Sequence, residues 1–364
     1  MRPENTALRR GPSCGTMAGP ALTRTMYFRE FERAPGQGPF QGLDLMVEPG
    51  DLVAGSPGLR VEAAPRRVRI TLGGEPLVWA HIHRHYRGLW RLLSGRSSSL
   101  GIVRPLRMAE IAGVEASPGS DAWWREWSRV FARELVASAG SPLFPGRWAL
   151  TPARAADAPS ITAAAWGASI TEWSRFERIE GVRACLDAPS LAWESWWTNG
   201  SGAVLRMRAK SPVEGGRVKA LRKRAREGRL PPILVYYVSG LDMYLLLDGH
   251  ERLLAGALEG APAAFLALWP ARATPRRPDP ERQEAVVREI LRKRGLPRSP
   301  RGRALDSEAE NRLLIDAFDD APFLSARTRA YRLAGGVARW EDEAARRSGL
   351  PKSHPLFTGE APDA

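Results

Sequence analysis

The stretch between residues 204 and 269 constrains the fold most, because short apolar runs alternate there with one-sided helical patterns. The predicted elements, in order, are a strand over 204–208, a helix over 216–227, strands over 233–238 and 243–247, a helix over 249–259 and a strand over 263–269. Strands that alternate with helices over so short a distance are typical of an α/β domain in which helices cover a sheet. We therefore expect such a domain over residues 202–270.

The sharpest local motif is the junction between the third strand of this stretch and its second helix. The strand runs into Asp248 and Gly249, and the helix begins at once with His250, Glu251 and Arg252. The first amides of a helix have no partner within it, and its dipole places partial positive charge there, so this end attracts anions. Glycine allows close approach to the backbone, and arginine can bind a phosphate with two hydrogen bonds. The motif predicts a phosphate site; an ordinary capped helix with Arg252 on the surface is the alternative.

The wider pattern resembles the ParB/sulfiredoxin superfamily domain. The order of strands and helices is similar, and Pro231-Pro232-Ile233 leads into a strand as it does there. Gly249-x-x-Arg252-x-x-Ala255 is similar to the GxxRxxA box of ParB-type partition proteins, and the Asp-Gly-His-x-Arg form of the same segment is similar to ParB-like free serine kinases.

This resemblance implies a nucleotide-binding domain whose suspected ligand is ATP or CTP with Mg²⁺. Carried over by position, it implies phosphate contacts from Gly249, His250 and Arg252. Two cations on the preceding helix, Arg217 and Lys219, would join them. The expected activity is that of an NTP-dependent phosphotransferase or NTPase, and the alternative is a non-catalytic regulatory or interaction protein that binds nucleotide or nucleic acid.

The candidate catalytic groups are Asp248 and Glu251, the carboxylates nearest to the expected phosphates. Either could orient a divalent ion or act as a base toward a hydroxyl acceptor. The alternative is that Asp248 caps the helix and Glu251 is a favourable acid in its first turn.

Two departures from the family narrow the expected chemistry. Sulfiredoxins have a cysteine directly after this glycine, whereas here His250 follows it, and neither Cys14 nor Cys185 lies within the domain. We therefore expect no sulfiredoxin activity. Partition proteins continue with a helix-turn-helix, but only residues 351–364 follow the helix-like segment 341–350, which leaves no recognition helix.

A second candidate site is the run His81-Ile82-His83-Arg84-His85. On a strand, the three imidazoles would lie on one face, where they could hold a metal ion. Side chains two apart on a strand are about 6.6 Å apart, so all three reach one ion only if the strand bends. An exposed polar strand face is the preferred interpretation, and no metal site is predicted.

The rest of the chain is expected to complete an α+β protein with several segments. Residues 40–107 are predicted to be β-rich, a helix is predicted over 121–139, and the tryptophans concentrated between residues 120 and 200 favour a packed core. The expected segments are an unstructured lead-in over 1–25, a β-rich and then Trp-rich domain over 26–200, the α/β domain over 202–270, a linker over 271–280, a helical extension over 281–350 and a tail over 351–364.

The charge and composition of the chain indicate which classes of partner are possible. The 364 residues carry a formal charge of +14, most of it from arginine, with dense basic runs over 217–229 and 271–303. This charge permits a nucleic-acid partner without requiring one, and a protein partner stays open. No apolar run approaches the ~18 residues that a membrane-spanning helix needs, so we expect no membrane partner. With only two cysteines and no apolar signal region after Arg9 and Arg10, we expect a cytoplasmic location.

Overall fold

In a computed structural model of the chain, the described residues form a mixed α/β protein with two sheets and seven helices. The described residues are 4–5, 26–31, 40–48, 58–95, 102–155, 178–179, 185–186, 189–196, 203–207, 210–274, 279–294, 310, 313–314, 317–318 and 323–362.

The strands are β1 (Glu4–Asn5), β2 (Met26–Glu30), β3 (Leu43–Val47), β4 (Leu59–Ala64), β5 (Arg67–Leu72), β6 (Glu75–Ile82), β7 (Gly88–Leu93), β8 (Gly146–Ala155), β9 (Arg178–Ile179), β10 (Leu191–Ser195), β11 (Ala203–Arg206), β12 (Ile233–Val238), β13 (Met243–Asp248), β14 (Ala264–Thr274), β15 (Phe323–Ala326) and β16 (Ala330–Arg332). The helices are α1 (Met108–Gly113), α2 (Asp121–Ala137), α3 (Gly216–Arg226), α4 (His250–Leu258), α5 (Pro280–Arg294), α6 (Gly336–Ser348) and α7 (Pro355–Thr358).

The larger sheet contains the expected α/β pattern and extends beyond it. Its main path runs in the order β1-β2-β3-β8-β14-β12-β13-β11. Neighbouring strands are antiparallel except for the parallel pairs β12 with β14 and β11 with β13. Every residue of β12 and β13 is buried, which explains why both are nearly continuous apolar runs in the sequence.

The smaller sheet has the order β10-β7-β6-β5-β4-β16, and it separates two apolar clusters. On β6, Val78 and Ala80 belong to the main core that the two sheets share, whereas Trp79 belongs to a second cluster with Trp340 and Phe357. This division follows from the alternation of side chains along a strand. One face of the smaller sheet therefore covers the main core, and the other is covered by α6 and α7.

Hydrogen bonds to backbone atoms hold α6 and α7, which we call the C-terminal segment, on this sheet. Trp340 Nε1 donates to the carbonyl oxygen of Val68 at 2.9 Å. A guanidinium nitrogen of Arg67 donates to the carbonyl oxygen of Phe357 at 2.8 Å. Both contacts are buried, so the end of the chain completes the packing of strands that lie more than 250 residues earlier.

The expected boundary between 26–200 and 202–270 does not separate two compact units. The described residues up to Ala271, together with those from Ala326 onward, form one unit, and those from Arg272 to Ser325 form another. The physical reason is β8, which pairs with β3 on one side and with β14 on the other and so joins both halves in one sheet.

Local predictions succeed or fail according to how much distant pairing shapes the segment. The bounds predicted for β12 are those observed, and the helix predicted over 216–227 ends one residue earlier, at Arg226. The helical extension expected over 281–350 is wrong in part, since 323–326 and 330–332 form strands and helix α6 starts only at Gly336. Four tryptophans are buried as expected, namely Trp123, Trp124, Trp127 and Trp148. Trp193 and Trp196 are only partly buried, and Trp166, Trp173 and Trp197 lie outside the described residues.

The segments at the ends of the predicted domains also differ from expectation. Glu4–Asn5, within the expected lead-in, pairs with β2, and the rest of residues 1–25 lies outside the described residues. Strand β14 continues through Pro270 to Thr274, into the expected linker. The expected tail contains α7, whose Leu356 and Phe357 are buried.

Candidate functional site: the junction of β13 and α4

The junction has the geometry that its sequence predicts. Strand β13 ends at Asp248, Gly249 follows with a φ of 106°, and α4 begins at His250. This left-handed conformation is accessible to glycine at little cost and is unfavourable for other residues. A Cβ atom at this position would also lie 2.9 Å from a guanidinium nitrogen of Arg252, so a larger residue would have to displace this side chain in addition to adopting the unfavourable backbone conformation.

Arg252 is neither on the surface nor turned toward solvent. Its guanidinium donates to Asp248 Oδ2 at 2.8 Å, and the side chains of the two residues are 1% and 5% exposed. The guanidinium carbon also lies 5.7 Å from the centre of the Phe131 ring, which belongs to α2. Arg252 is therefore not a surface residue, and Asp248 does not cap the helix, so both alternatives raised from the sequence are wrong. Instead, the two side chains form a buried ion pair between the end of β13 and the start of α4.

His250 and Glu251 connect the start of α4 to the chain that follows β11. The backbone amide of Met207 donates to His250 Nε2 at 3.4 Å. Ser211 Oγ donates to Glu251 Oε1 at 3.0 Å. The junction thus gathers Gly249, His250, Glu251 and these two residues around the N-terminal end of one helix.

The two cations expected from α3 bind groups outside the junction. A guanidinium nitrogen of Arg217 donates to the carbonyl oxygen of Leu106 at 2.8 Å. Lys219 forms an exposed ion pair with Glu214, with its Nζ atom 2.9 Å from Oε2. In this conformation, neither side chain contributes its charge directly to a ligand at Gly249.

Much of the basic face of α3 is neutralised by acids. Arg222 and Arg226 both bind Glu259 Oε1, at 2.5 Å and 2.9 Å. Arg224 binds Glu227 at 3.2 Å. A face whose cations already have anionic partners attracts a polyanion less strongly than the sequence suggests.

The three histidines do not lie on one exposed strand face, and this interpretation of the sequence is wrong. Strand β6 ends at Ile82, so only His81 lies within it; His81 and His83 are buried and His85 is exposed. His81 Nδ1 is 2.9 Å from the carbonyl oxygen of Leu356, and burial followed by the positive charge of Arg67 lowers the pKa of His81 to about 4. Over the described part of the chain, no group of three potential ligands is arranged to hold a metal ion.

Cys185 is not a candidate nucleophile. Its side chain is 2% exposed, and burial raises the pKa of the thiol to about 12. Since the thiolate is the reactive form, such a cysteine is inert near neutral pH. Cys14 lies outside the described residues.

Comparisons with models of protein families, with curated proteins and with solved structures find no match to this chain. Among the helices of the described residues, none combines the length and the apolar character needed to cross a bilayer.

Sequence reasoning found the residues of the junction but not their partners. The four-residue spacing of Asp248 and Arg252 was a signal for their ion pair, because such pairs meet where a helix begins. The contacts with Phe131, Met207 and Ser211 had no local signal, since they depend on where α2 and the chain after β11 lie in the fold.

Proposed function

We propose that this chain binds a nucleotide, ATP or CTP, whose phosphates contact the first turn of α4. The observation that carries the proposal is the left-handed Gly249 between the end of β13 and the start of α4. Gly249 itself is buried with the Arg252 guanidinium beside it, so the phosphates would contact the backbone amides of the turn that follows it, which carry the positive end of the helix dipole. The resemblance of the surrounding sequence to ParB/sulfiredoxin-like domains supports the same ligand.

The carboxylates of the junction favour binding over phosphoryl transfer. Asp248 would have to leave its buried ion pair with Arg252 before it could hold a metal ion, which would leave a guanidinium buried without its partner. Glu251 accepts a hydrogen bond from Ser211. In the proposed complex, Mg²⁺ therefore arrives with the nucleotide and is held mainly by phosphate oxygens and water.

Arg252 acts in this proposal as a positioning residue. Its guanidinium lies directly beneath Gly249 and fixes the direction in which β13 passes into α4. The backbone amides at the start of the helix, together with His250, would make the direct contacts to phosphate. Arg252 is therefore a poor choice for testing the site, since its replacement also disturbs the fold.

A charge placed at the first residue of α4 gives a sharper test. We expect His250→Asp to abolish binding of ATP and CTP in titration calorimetry with and without Mg²⁺, because a carboxylate there repels phosphate. The same carboxylate is compatible with the helix dipole, so the start of the helix should persist. Leu258→Asp is the matched control: it adds the same charge to an exposed position of the same helix, about 12 Å further along its axis.

The outcomes separate clearly. Loss of nucleotide binding in His250→Asp and its retention in Leu258→Asp would support the proposal. Absence of binding by the wild-type chain, or equal affinities for wild type and His250→Asp, would remove the junction as the site.

A further inference from the structure

The turn between β6 and β7 presents an aromatic ring and several arginines at one end of the smaller sheet. Tyr86 stacks on Trp196 with ring centres 6.4 Å apart and an angle of 11° between the planes. Tyr86 is 53% exposed, so about half of its surface is accessible to solvent. Together with the exposed side chains of Arg66, Arg84 and Arg87, these two rings form what we call the Tyr86 patch.

The ring pair is held in place by the backbone beneath it. The backbone amide of Trp196 donates to the carbonyl oxygen of Arg87 at 3.1 Å, and Trp196 Nε1 donates to that of Leu241 at 3.2 Å. Trp196 is thereby fixed against both the turn and the loop between β12 and β13. A platform that is already rigid loses little conformational entropy when a ligand stacks on it.

Tyr86 has an unusual backbone conformation for its residue type. Its φ is 52°, in the left-handed region that bulky side chains rarely adopt. The turn maintains this conformation, since the Tyr86 amide donates to the carbonyl oxygen of His83 at 3.0 Å and the His83 amide donates to that of Gly88 at 3.0 Å. The chain thus bears a conformational cost at a position where its tyrosine is directed outward.

The charges around the patch are positive. Burial lowers the pKa of His83, and the positive charges of His85, Arg87, Arg84 and Arg66 lower it further. None of the three arginines of the patch forms an ion pair within the described residues. The carboxylate of the adjacent strand, Glu194, is bound by Arg91 at 2.7 Å.

We propose that the Tyr86 patch binds single-stranded nucleic acid, with a base stacked on Tyr86 and the neighbouring phosphates near Arg84 and Arg87. Aromatic rings next to a cationic groove are the combination that such strands require, because every base has a flat face and every linkage has a negative charge. A duplex keeps its bases stacked inside and cannot use the ring. The positive surroundings also disfavour a cationic ligand for the aromatic pair. This inference is independent of the nucleotide site proposed at Gly249.

The test uses fluorescence anisotropy to measure the binding of fluorescein-labelled nucleic acids to the full chain. The single strands are oligothymidylate and oligouridylate of about 20 nucleotides each, and a DNA duplex of the same length is compared with them. We expect both single strands to bind more tightly than the duplex. Tyr86→Asn should reduce the affinity for single strands by roughly 5- to 150-fold, the usual contribution of one stacked base. Asparagine tolerates a positive φ, so the turn should keep its shape, and Tyr86→Phe should bind like wild type.

The arginines are tested by the salt dependence of binding. Replacing Arg84 and Arg87 by glutamine should reduce the slope of log affinity against log salt concentration by about 1.4, which corresponds to two phosphate contacts on a single strand. Lys223→Gln with Arg229→Gln is the matched control, because it removes the same charge from exposed positions near the end of α3. Equal losses from both double variants would mean that affinity follows net charge, and this would overturn the proposal. Unchanged affinity in Tyr86→Asn, or absence of single-strand binding at low salt, would also overturn it.

Discussion

Replacing Arg252 by methionine should cost about 3–5 kcal/mol of unfolding free energy, which is the usual loss when one partner of a buried ion pair is removed. Methionine fills most of the volume of the arginine stem, so the main consequence is that the Asp248 carboxylate, 5% exposed, loses its cation. The contact of the guanidinium with the Phe131 ring is lost as well.

Urea unfolding followed by tryptophan fluorescence measures this loss, because Trp127 and Trp148 are buried and should report on the transition. The urea midpoint should fall by at least about 1 M. The double variant Asp248→Asn with Arg252→Met removes both charges, and we expect it to be more stable than Arg252→Met alone by about 1–3 kcal/mol.

A phosphate-binding role without a structural one gives the opposite pattern. Arg252→Met would then unfold at the wild-type urea concentration and lose only nucleotide affinity. Additive effects of the two substitutions would also refute the reasoning, because they would mean that the charges do not interact in the folded protein.

Two further predictions concern the docking of the C-terminal segment on the smaller sheet. The folded state holds the pKa of His81 at about 4, below its ordinary value of 6.5, so the unfolded chain binds the proton more readily. The free energy of unfolding should therefore fall by about 3 kcal/mol as the pH drops from about 6.5 to 4. His81→Gln should flatten this part of the profile of urea midpoint against pH, and a profile parallel to that of wild type would contradict the prediction. In thermal unfolding, Gly359→Ala should lower the stability of this docking far more than Gly349→Ala. Both glycines have a positive φ, but only at Gly359 would the new Cβ lie 2.3 Å from an atom of the His81 ring. Equal losses of stability in the two variants would show that backbone conformation alone determines the cost of the substitution.

The sequence predicts those helices and strands whose apolar pattern lies within the element itself. Strands β12 and β13 are buried on both faces and are apolar runs in the sequence, and the apolar stripe of α3 continues to its end, so the sequence predicts the bounds of all three to within one residue. The single sheet does not follow, because the pairing of β8 with β14 joins residues more than 100 positions apart. The parallel pairing of β16 with β4 is still more distant, and it places a strand within the helical extension expected over 281–350.

In the candidate site, too, the sequence predicts the local secondary structure but not the contacts of the side chains. The order of the residues from Asp248 to Arg252 predicts the end of the strand and the start of the helix to within one residue, whereas the left-handed conformation of Gly249 was not predicted. The direction of each side chain depends on neighbours brought by the tertiary structure. Phe131 lies against Arg252, and the chain after β11 supplies the partners of His250 and Glu251.

The packing of α6 and α7 on the smaller sheet also sets the order in which the protein can be completed during synthesis. Strands β4 to β7 emerge from the ribosome well before Trp340, Leu356 and Phe357, which cover their outer face. Until these three residues are made, that face is uncovered and can associate prematurely with other nascent chains. Termination of synthesis before Trp340 would therefore compromise strands that were made long before.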